Sequence, residues 1–306
     1  MVKYVLKRIL MGVLTIFILA SVAFLMIRIV PGGPFDADVA EMSEEAYRNL
    51  EMKYGLDKPL YVQYAVFMTN LLHGDLGESL QYTGTPVADL IGRGIGATAR
   101  LATCALIFSV AVGLALGISA SLRPDSGLDR FCTALSTIGV SLPNYVVAIA
   151  LMYVFAQKLQ WVPVTGLDSY KSYFLPVIAL SLNPIAHLTK LSKTSMIDAL
   201  NQDYVVLARA KGMRTGRVVC LHALKNALLP VITYIGPLIS SLMIGSFVVE
   251  NMFTIPGIGK MLATSITMRD YTTLTGMVIF YGTTVIVIGI IVDLIYVLID
   301  PRVKYE

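Results

Sequence analysis

The sequence predicts an all-α integral membrane protein with six transmembrane helices. Of its 306 residues, 56% are hydrophobic and only 14% are charged. An average soluble domain has about a quarter charged residues, and mean hydropathy here is +0.72. Apolar surface on this scale suits helices that face lipid as well as one another. The second observation is a series of six charge-free runs long enough to cross a bilayer, at residues 9–27, 101–122, 131–157, 172–189, 226–249 and 271–292. Each reaches the ~18 residues that a span requires. The third is the alternation of basic and acidic segments between the runs.

In chain order, residues 1–30 form an N-terminal tail and the first span. Lys3, Lys7 and Arg8 precede it, and Ser21-Val22-Ala23 has the composition of a signal cleavage site. The apolar run continues through Phe24-Leu25-Met26-Ile27, which favours an uncleaved span. Pro31-Gly32-Gly33-Pro34 stops it. Residues 31–97 form an acidic segment long enough to be ordered. Helical stretches are expected at 44–53 and 60–72, with Ser43 capping the first. Gly92-Arg93-Gly94-Ile95-Gly96 reads as a flexible junction before the second span. Residues 98–299 hold the remaining five spans and a basic loop at 190–225, and residues 300–306 form the tail. No period-two alternation suggests a β-barrel.

Basic residues set the orientation. The N-tail, the loop with Arg123 and Arg130, the 190–225 loop and the tail with Arg302 and Lys304 share one face if six spans are crossed. That face is expected to be cytoplasmic, and the acidic 31–97 segment extracytoplasmic.

The 190–225 loop is the most informative stretch. Asp203 is suited to N-cap a short helix, and Gly212 to follow its end in the left-handed conformation. Between them run Tyr204, Val205, Val206, Leu207, Ala208, Arg209, Ala210 and Lys211. Val205, Ala208 and Gly212, with Tyr204 and Leu207 beside them, recur at helical spacing and make one apolar face. Lys211 complements the helix dipole, and a second helix is expected from Thr215. A short helix held between two spans suits docking to another protein, and Ala208, Ala210 and Gly212 permit close approach. A basic helix–Gly–helix also has the look of a DNA-binding motif. The flanking spans argue against nucleic acid. A merely solvated basic loop is the plainer alternative.

Asp203-Tyr204, Ala208-Arg209-Ala210-Lys211-Gly212 and the 222–230 segment His-Ala-Leu-Lys-Asn-Ala-Leu-Leu-Pro resemble the coupling loop of ABC-importer permeases, closest to the dipeptide/oligopeptide branch. Further words of that family occur in order at 54–59, 74–79, 256–259 and 299–302. The general motif opens Glu-Ala-Ala, but its three positions here are Val206, Leu207 and Ala208, of which only Ala208 matches. The docking role therefore attaches to the segment and not to a glutamate. The resemblance implies a type I importer fold, and this chain looks most like the first of two permeases. It further implies a second, related permease as heterodimeric partner, two P-loop ATPases on the cytoplasmic side and an extracytoplasmic peptide-binding protein. The location would be a bacterial-type inner membrane, with both termini cytoplasmic. ATP and Mg would be used by the partner ATPases, with no cofactor on this chain. Nickel complexes, haem, glutathione or sugars are alternative cargoes of such importers.

Nothing assembles a catalytic centre. The sequence lacks GxxxxGK[ST], HExxH and GxSxG, and His73, His187 and His222 are scattered. Cys104, Cys132 and Cys220 imply neither a disulfide framework nor metal spacing. Ionisable residues near spans are candidates for function. Asp293, just past the sixth charge-free run and about two turns from the cytoplasmic end of that span, is expected to pair with a basic group on a neighbouring helix. Glu250 and Asn251 follow the fifth run and are candidates for an outer mouth. Arg28 and His187 lie near run ends and are expected to snorkel or cap. Residues 252–270 are too polar to span and read as a re-entrant outer gate. A gradient-driven secondary transporter would call for inverted repeats, and none is evident. The orientation is open to direct measurement: a membrane-impermeant label should reach residues 203–225 only from the cytoplasmic side, and labelling only from outside would contradict it.

Overall fold

A computed structural model describes residues 2–29, 33–35, 43–166 and 169–299. The helices are α1 (Val2–Ile29), α2 (Glu44–Tyr54), α3 (Leu60–Leu72), α4 (Val87–Ser121), α5 (Gly127–Ser141), α6 (Asn144–Leu151), α7 (Phe174–Leu200), α8 (Asp203–Ala210), α9 (Thr215–Val218), α10 (Leu224–Ala227), α11 (Leu229–Met252), α12 (Ile258–Thr267) and α13 (Tyr271–Ile299). Wider π-type turns follow α6 (Met152–Lys158) and α9 (Val219–Ala223). Strand pairing among the described residues is confined to a single bridge between Glu78 and Pro86.

Among the described residues, five helices are long and apolar enough to cross a membrane, at Val5–Ile29, Val87–Ser121, Tyr170–Leu200, Leu229–Met252 and Tyr271–Val292. The third run is different. It divides into α5 and α6, bent by 103° at their junction, and only the pair taken together makes a sixth span. Pro143 explains the break. It lies in extended backbone between the two helices, and proline pushes the residue before it out of the α region; Leu142 is accordingly extended (φ −88°, ψ 124°).

Two further expectations change. The junction at residues 92–96 is not flexible but part of α4, which runs unbroken from Val87. Its glycines lower helix propensity by about 1 kcal/mol each, and one of them is used for packing. A Cβ on Gly94 would lie 2.9 Å from the backbone nitrogen of Ile258. Residues 190–200, assigned to a loop, continue α7, because Ser192, Met196 and Ala199 form a buried stripe there. His187 consequently lies inside a helix and not near its end. It is exposed, with its ring 6.3 Å from that of Tyr234.

The chain forms two compact units, Met1–Thr98 with Pro256–Val287, and Ala99–Ile255 with Ile288–Glu306. In the first, Ser43 caps α2 by accepting from the Ala46 amide at 3.3 Å, as expected from its sequence position. Phe24 of α1 stacks on Phe67 and meets Tyr64 edge-on, with centroids 5.2 and 5.4 Å apart. Ser21 and Tyr64 share a 2.7 Å hydrogen bond. Asp270, 1% exposed, ties the segment before α4 to the start of α13. Its carboxylate accepts from the Ser79 hydroxyl and the Leu80 amide, and from the amide and hydroxyl of Thr273. Hydrogen bonds to a charged group contribute about 1.5–3 kcal/mol each, and an acid at a helix N-terminus complements the dipole. The Ile258 amide donates to Thr98 Oγ1 at 2.9 Å. Residues 256–270 therefore pack through α12 within this unit.

In the second unit, α4 and α7 approach through Gly113 and Gly117, four residues apart on one face. A Cβ on Gly113 would lie 2.6 Å from Leu188 Cβ, and one on Gly117 would lie 2.6 Å from the Thr189 carbonyl oxygen. Small residues at this spacing let helix backbones meet where lipid supplies no hydrophobic drive. Ser192 sits at the crossing and donates to Leu188 O at 2.6 Å. Lys193 of α7 pairs with Asp129 of α5. Asp129 also accepts from Asp125 N at 3.0 Å and Thr133 Oγ1 at 3.2 Å. The expectation for Gly117→Val follows from this crossing. Overpacking costs about 1–3 kcal/mol or more, so the melting temperature of the purified chain in nanodiscs should fall; an unchanged melting curve would contradict the close approach.

Candidate functional site

The site is α8 and the helices that hold it. Gln202 is extended (φ −76°, ψ 150°), and its carbonyl accepts from Val205 N at 2.9 Å and Val206 N at 3.2 Å. Gln202 is thus the N-cap, and Asp203, expected in that role, is the first helical residue. Its carboxylate still lies in the first turn, where negative charge is favoured.

The other end behaves as its sequence suggests. Gly212 has φ +77°, its amide donates to Arg209 O at 2.9 Å, and the Met213 amide donates to Ala208 O at 3.3 Å. This pair of bonds is the Schellman arrangement, which closes the helix through a left-handed residue. A β-branched residue there carries the full steric penalty of positive φ.

The apolar residues of α8 divide in two. Val205 (0% exposed) and Ala208 (5%) are buried in a cluster with Met196 and Ala199 of α7, Val218, Val219 and Ala223 from the following turns, and Ala227 of α10. Ile118, Leu200 and Met213 pack around it. Tyr204 (37% exposed), Val206 (57%) and Leu207 (58%) instead face outward. Arg209, Ala210, Lys211 and Gly212 are exposed with them. The single apolar face expected from the sequence is therefore split: Val205 and Ala208 pack inward, and Tyr204, Leu207 and Gly212 do not join them. The 3.6-residue period places Tyr204 and Leu207 at the edge of that face, and the cluster is narrow because its members are small. Tyr204 is fixed by its hydroxyl, which accepts from Asn226 Nδ2 at 2.8 Å. The result is a short helix clamped along one side and presenting apolar and basic side chains on the other.

The remaining candidates lie apart from α8. Glu250 and Asn251 are within α11 and do not follow it. Glu250 is fully buried, whereas Asn251 is exposed. Asp293 lies on α13, but its side chain is outside the described residues. The Asp129–Lys193 pair and the Asp270 hub were not singled out from sequence. Asp270 carries a readable signal, since an aspartate directly before a long apolar run is a helix-start signature. Asp129 and Lys193 are distant in sequence and only the helix crossing joins them.

Comparison with known proteins places this geometry. Residues 113–305 match the model of the binding-protein-dependent transport system inner membrane component, and residues 1–96 match the N-terminal model of the same kind of membrane component. The chain is 37% identical over 304 residues to the dipeptide transport system permease protein of Bacillus subtilis, covering 99% of this chain and 98% of that one. It is 37% identical over 307 residues to the oligopeptide transport system permease protein of Salmonella typhimurium, covering all of both. Among solved structures, an amino acid ABC transporter matches with a TM-score of 0.57 at 15% identity, over 68% of this chain and 94% of that one. The inward-facing MetNI methionine ABC transporter matches with a TM-score of 0.56 at 17% identity, over 69% of this chain and 96% of that one. The fold is that of ABC-importer permeases, and the chain belongs to the family of binding-protein-dependent transport system inner membrane components.

Proposed function

We propose that this chain forms half of the translocation pathway of an ABC importer for dipeptides or oligopeptides. Full-length identity to permeases named for those solutes carries the cargo class. The clamped, outward-facing α8 supports the means of coupling. In this reading two ATPase subunits grip the exposed face formed by Tyr204, Val206, Leu207 and Arg209. ATP and Mg act only there. A second, related permease completes the pathway as a heterodimer, and an extracytoplasmic binding protein delivers the peptide. The complex lies in the bacterial inner membrane with both termini cytoplasmic.

The physical logic is that of a rigid contact between two bodies. Nucleotide shifts the transporter only by the difference in affinity that it creates between conformations. Motion applied to α8 reaches α7 and α10 because Val205 and Ala208 share one close-packed cluster with them. Exposed Leu207 and Tyr204 supply apolar contact to the partner, with Arg209 and Lys211 adding charge at the rim.

Reconstitution tests the energy source. The chain alone in proteoliposomes should move no labelled dipeptide under a proton or sodium gradient, and the full complex should do so only with ATP and binding protein. Gradient-driven uptake by the chain alone would instead mark a secondary transporter. The coupling helix is tested by substitution on its two sides. Leu207→Glu should leave the permease folded while lowering ATP-driven uptake at least tenfold, because it places a charge in an apolar contact. Gly212→Val should also block uptake while leaving the membrane assembly intact, by forcing a β-branched residue to positive φ. Wild-type uptake by both variants would remove α8 from the coupling path.

A further inference from the structure

The first unit contains a cavity of about 520 Å³ between α1, the loop after α2, α3 and the start of α13. Its volume is within the roughly 300–1,000 Å³ typical of small-molecule sites.

Arg28 is the group that gives this cavity a chemistry. Its guanidinium carbon lies over the Phe24 ring, 3.8 Å from the centroid. Nε donates to Gln63 Oε1 at 3.0 Å. Gln63 is itself fixed, since its Nε2 donates to the carbonyl oxygens of Lys58 at 2.8 Å and Leu56 at 3.1 Å. The planar fork is therefore held in one orientation before any ligand arrives. Among the described residues its two terminal nitrogens have no hydrogen-bond acceptor and no carboxylate counterion; Tyr271 on the cavity wall is the group that interacts with it electrostatically. A partly buried cation without a counterion is costly, and the free end of a guanidinium matches a carboxylate or phosphate with two parallel hydrogen bonds.

Two further observations define the ligand. The Tyr54 hydroxyl, on the cavity wall, is buried and makes no hydrogen bond among the described residues. A buried hydroxyl without a partner costs about 1–3 kcal/mol, which a polar ligand atom would recover. The wall also carries Asp75 and Glu78 together with Lys53 and Lys58. A ligand bearing only negative charge would be repelled by the two acids, and one bearing only positive charge by the three bases. A molecule with both charges meets a favourable partner at each end.

We propose that this cavity binds a small zwitterion, its oxyanion on Arg28 and its ammonium on Asp75 and Glu78. Two sources share that chemistry: a free peptide, and the headgroup of an ethanolamine phospholipid. The inference concerns the first unit alone and stands whatever solute the pathway carries.

The test uses the full chain in maltoside micelles, free of zwitterionic lipid. Trialanine and glycerophosphoethanolamine serve as probes, and acetyl-trialanine amide, which lacks both charges, serves as the blank. At least one zwitterionic probe should bind saturably and the blank should not. Arg28→Gln should weaken that binding at least tenfold, Arg28→Lys should restore part of it, and Glu78→Gln should weaken it several-fold. Binding of trialanine alone assigns the site to peptide, and binding of glycerophosphoethanolamine alone assigns it to lipid. Binding of both supports the shared chemistry. Failure of both probes, or undiminished binding by Arg28→Gln, overturns the proposal. If Arg28→Gln does not fold, as judged by its melting curve, Glu78→Gln decides: binding equal to wild type overturns it.

Discussion

The small apolar cluster beneath Val205 and Ala208 is the constraint on which α8 depends. An isolated helix as short as α8 is marginal in water. Its order comes from burial of those two side chains against α7 and α10, with the Gly212 closure and the Tyr204–Asn226 hydrogen bond limiting its freedom further. The cluster consists largely of alanine and valine, so the backbones it joins lie close together. Close packing leaves little room for compliance, and a push on one element is felt by its neighbours.

The rest of the second unit uses the same economy of volume. Gly113 and Gly117 bring α4 onto α7, and Ser192 hydrogen-bonds within the crossing without adding bulk. Lys193 and Asp129 join α7 to α5, with Thr133 contributing to both. In the first unit Asp270 gathers donors from two segments far apart in sequence. Each arrangement satisfies charge internally where water is scarce, which is the condition for stability in lipid.

Much of this was legible in the sequence, for physical reasons. Long charge-free runs announce helices because lipid admits few other structures; α1 and α13 contain the runs that announced them, and α4 and α11 cover nearly all of theirs. Ser43 and Gly212 report local backbone geometry, and both act at the ends where they were placed. Pro143 was equally visible but was read through, because hydropathy alone does not register a missing amide hydrogen. The continuation of α7 past residue 189 was hidden by its exposed charges, while its buried stripe of Ser192, Met196 and Ala199 is modest in hydrophobicity. Glycines in α4 misled because their cost to a helix is local, whereas their benefit, the approach to Ile258, comes from a distant segment. Which residues of α8 face outward could not be settled by period alone, since that depends on the width of the surface beneath it.

The elbow between α5 and α6 has its own consequence. Pro143 has no hydrogen to offer the carbonyl of Gly139, and the bend leaves Val140 O to be met by Asn183 Nδ2 at 3.4 Å. Hydrocarbon cannot solvate backbone exposed at such a corner. The turn must therefore be sheltered by protein or bathed by water, never by acyl chains. A chain bent in this way needs a polar or protein-lined shelter at that corner wherever it lies in a membrane.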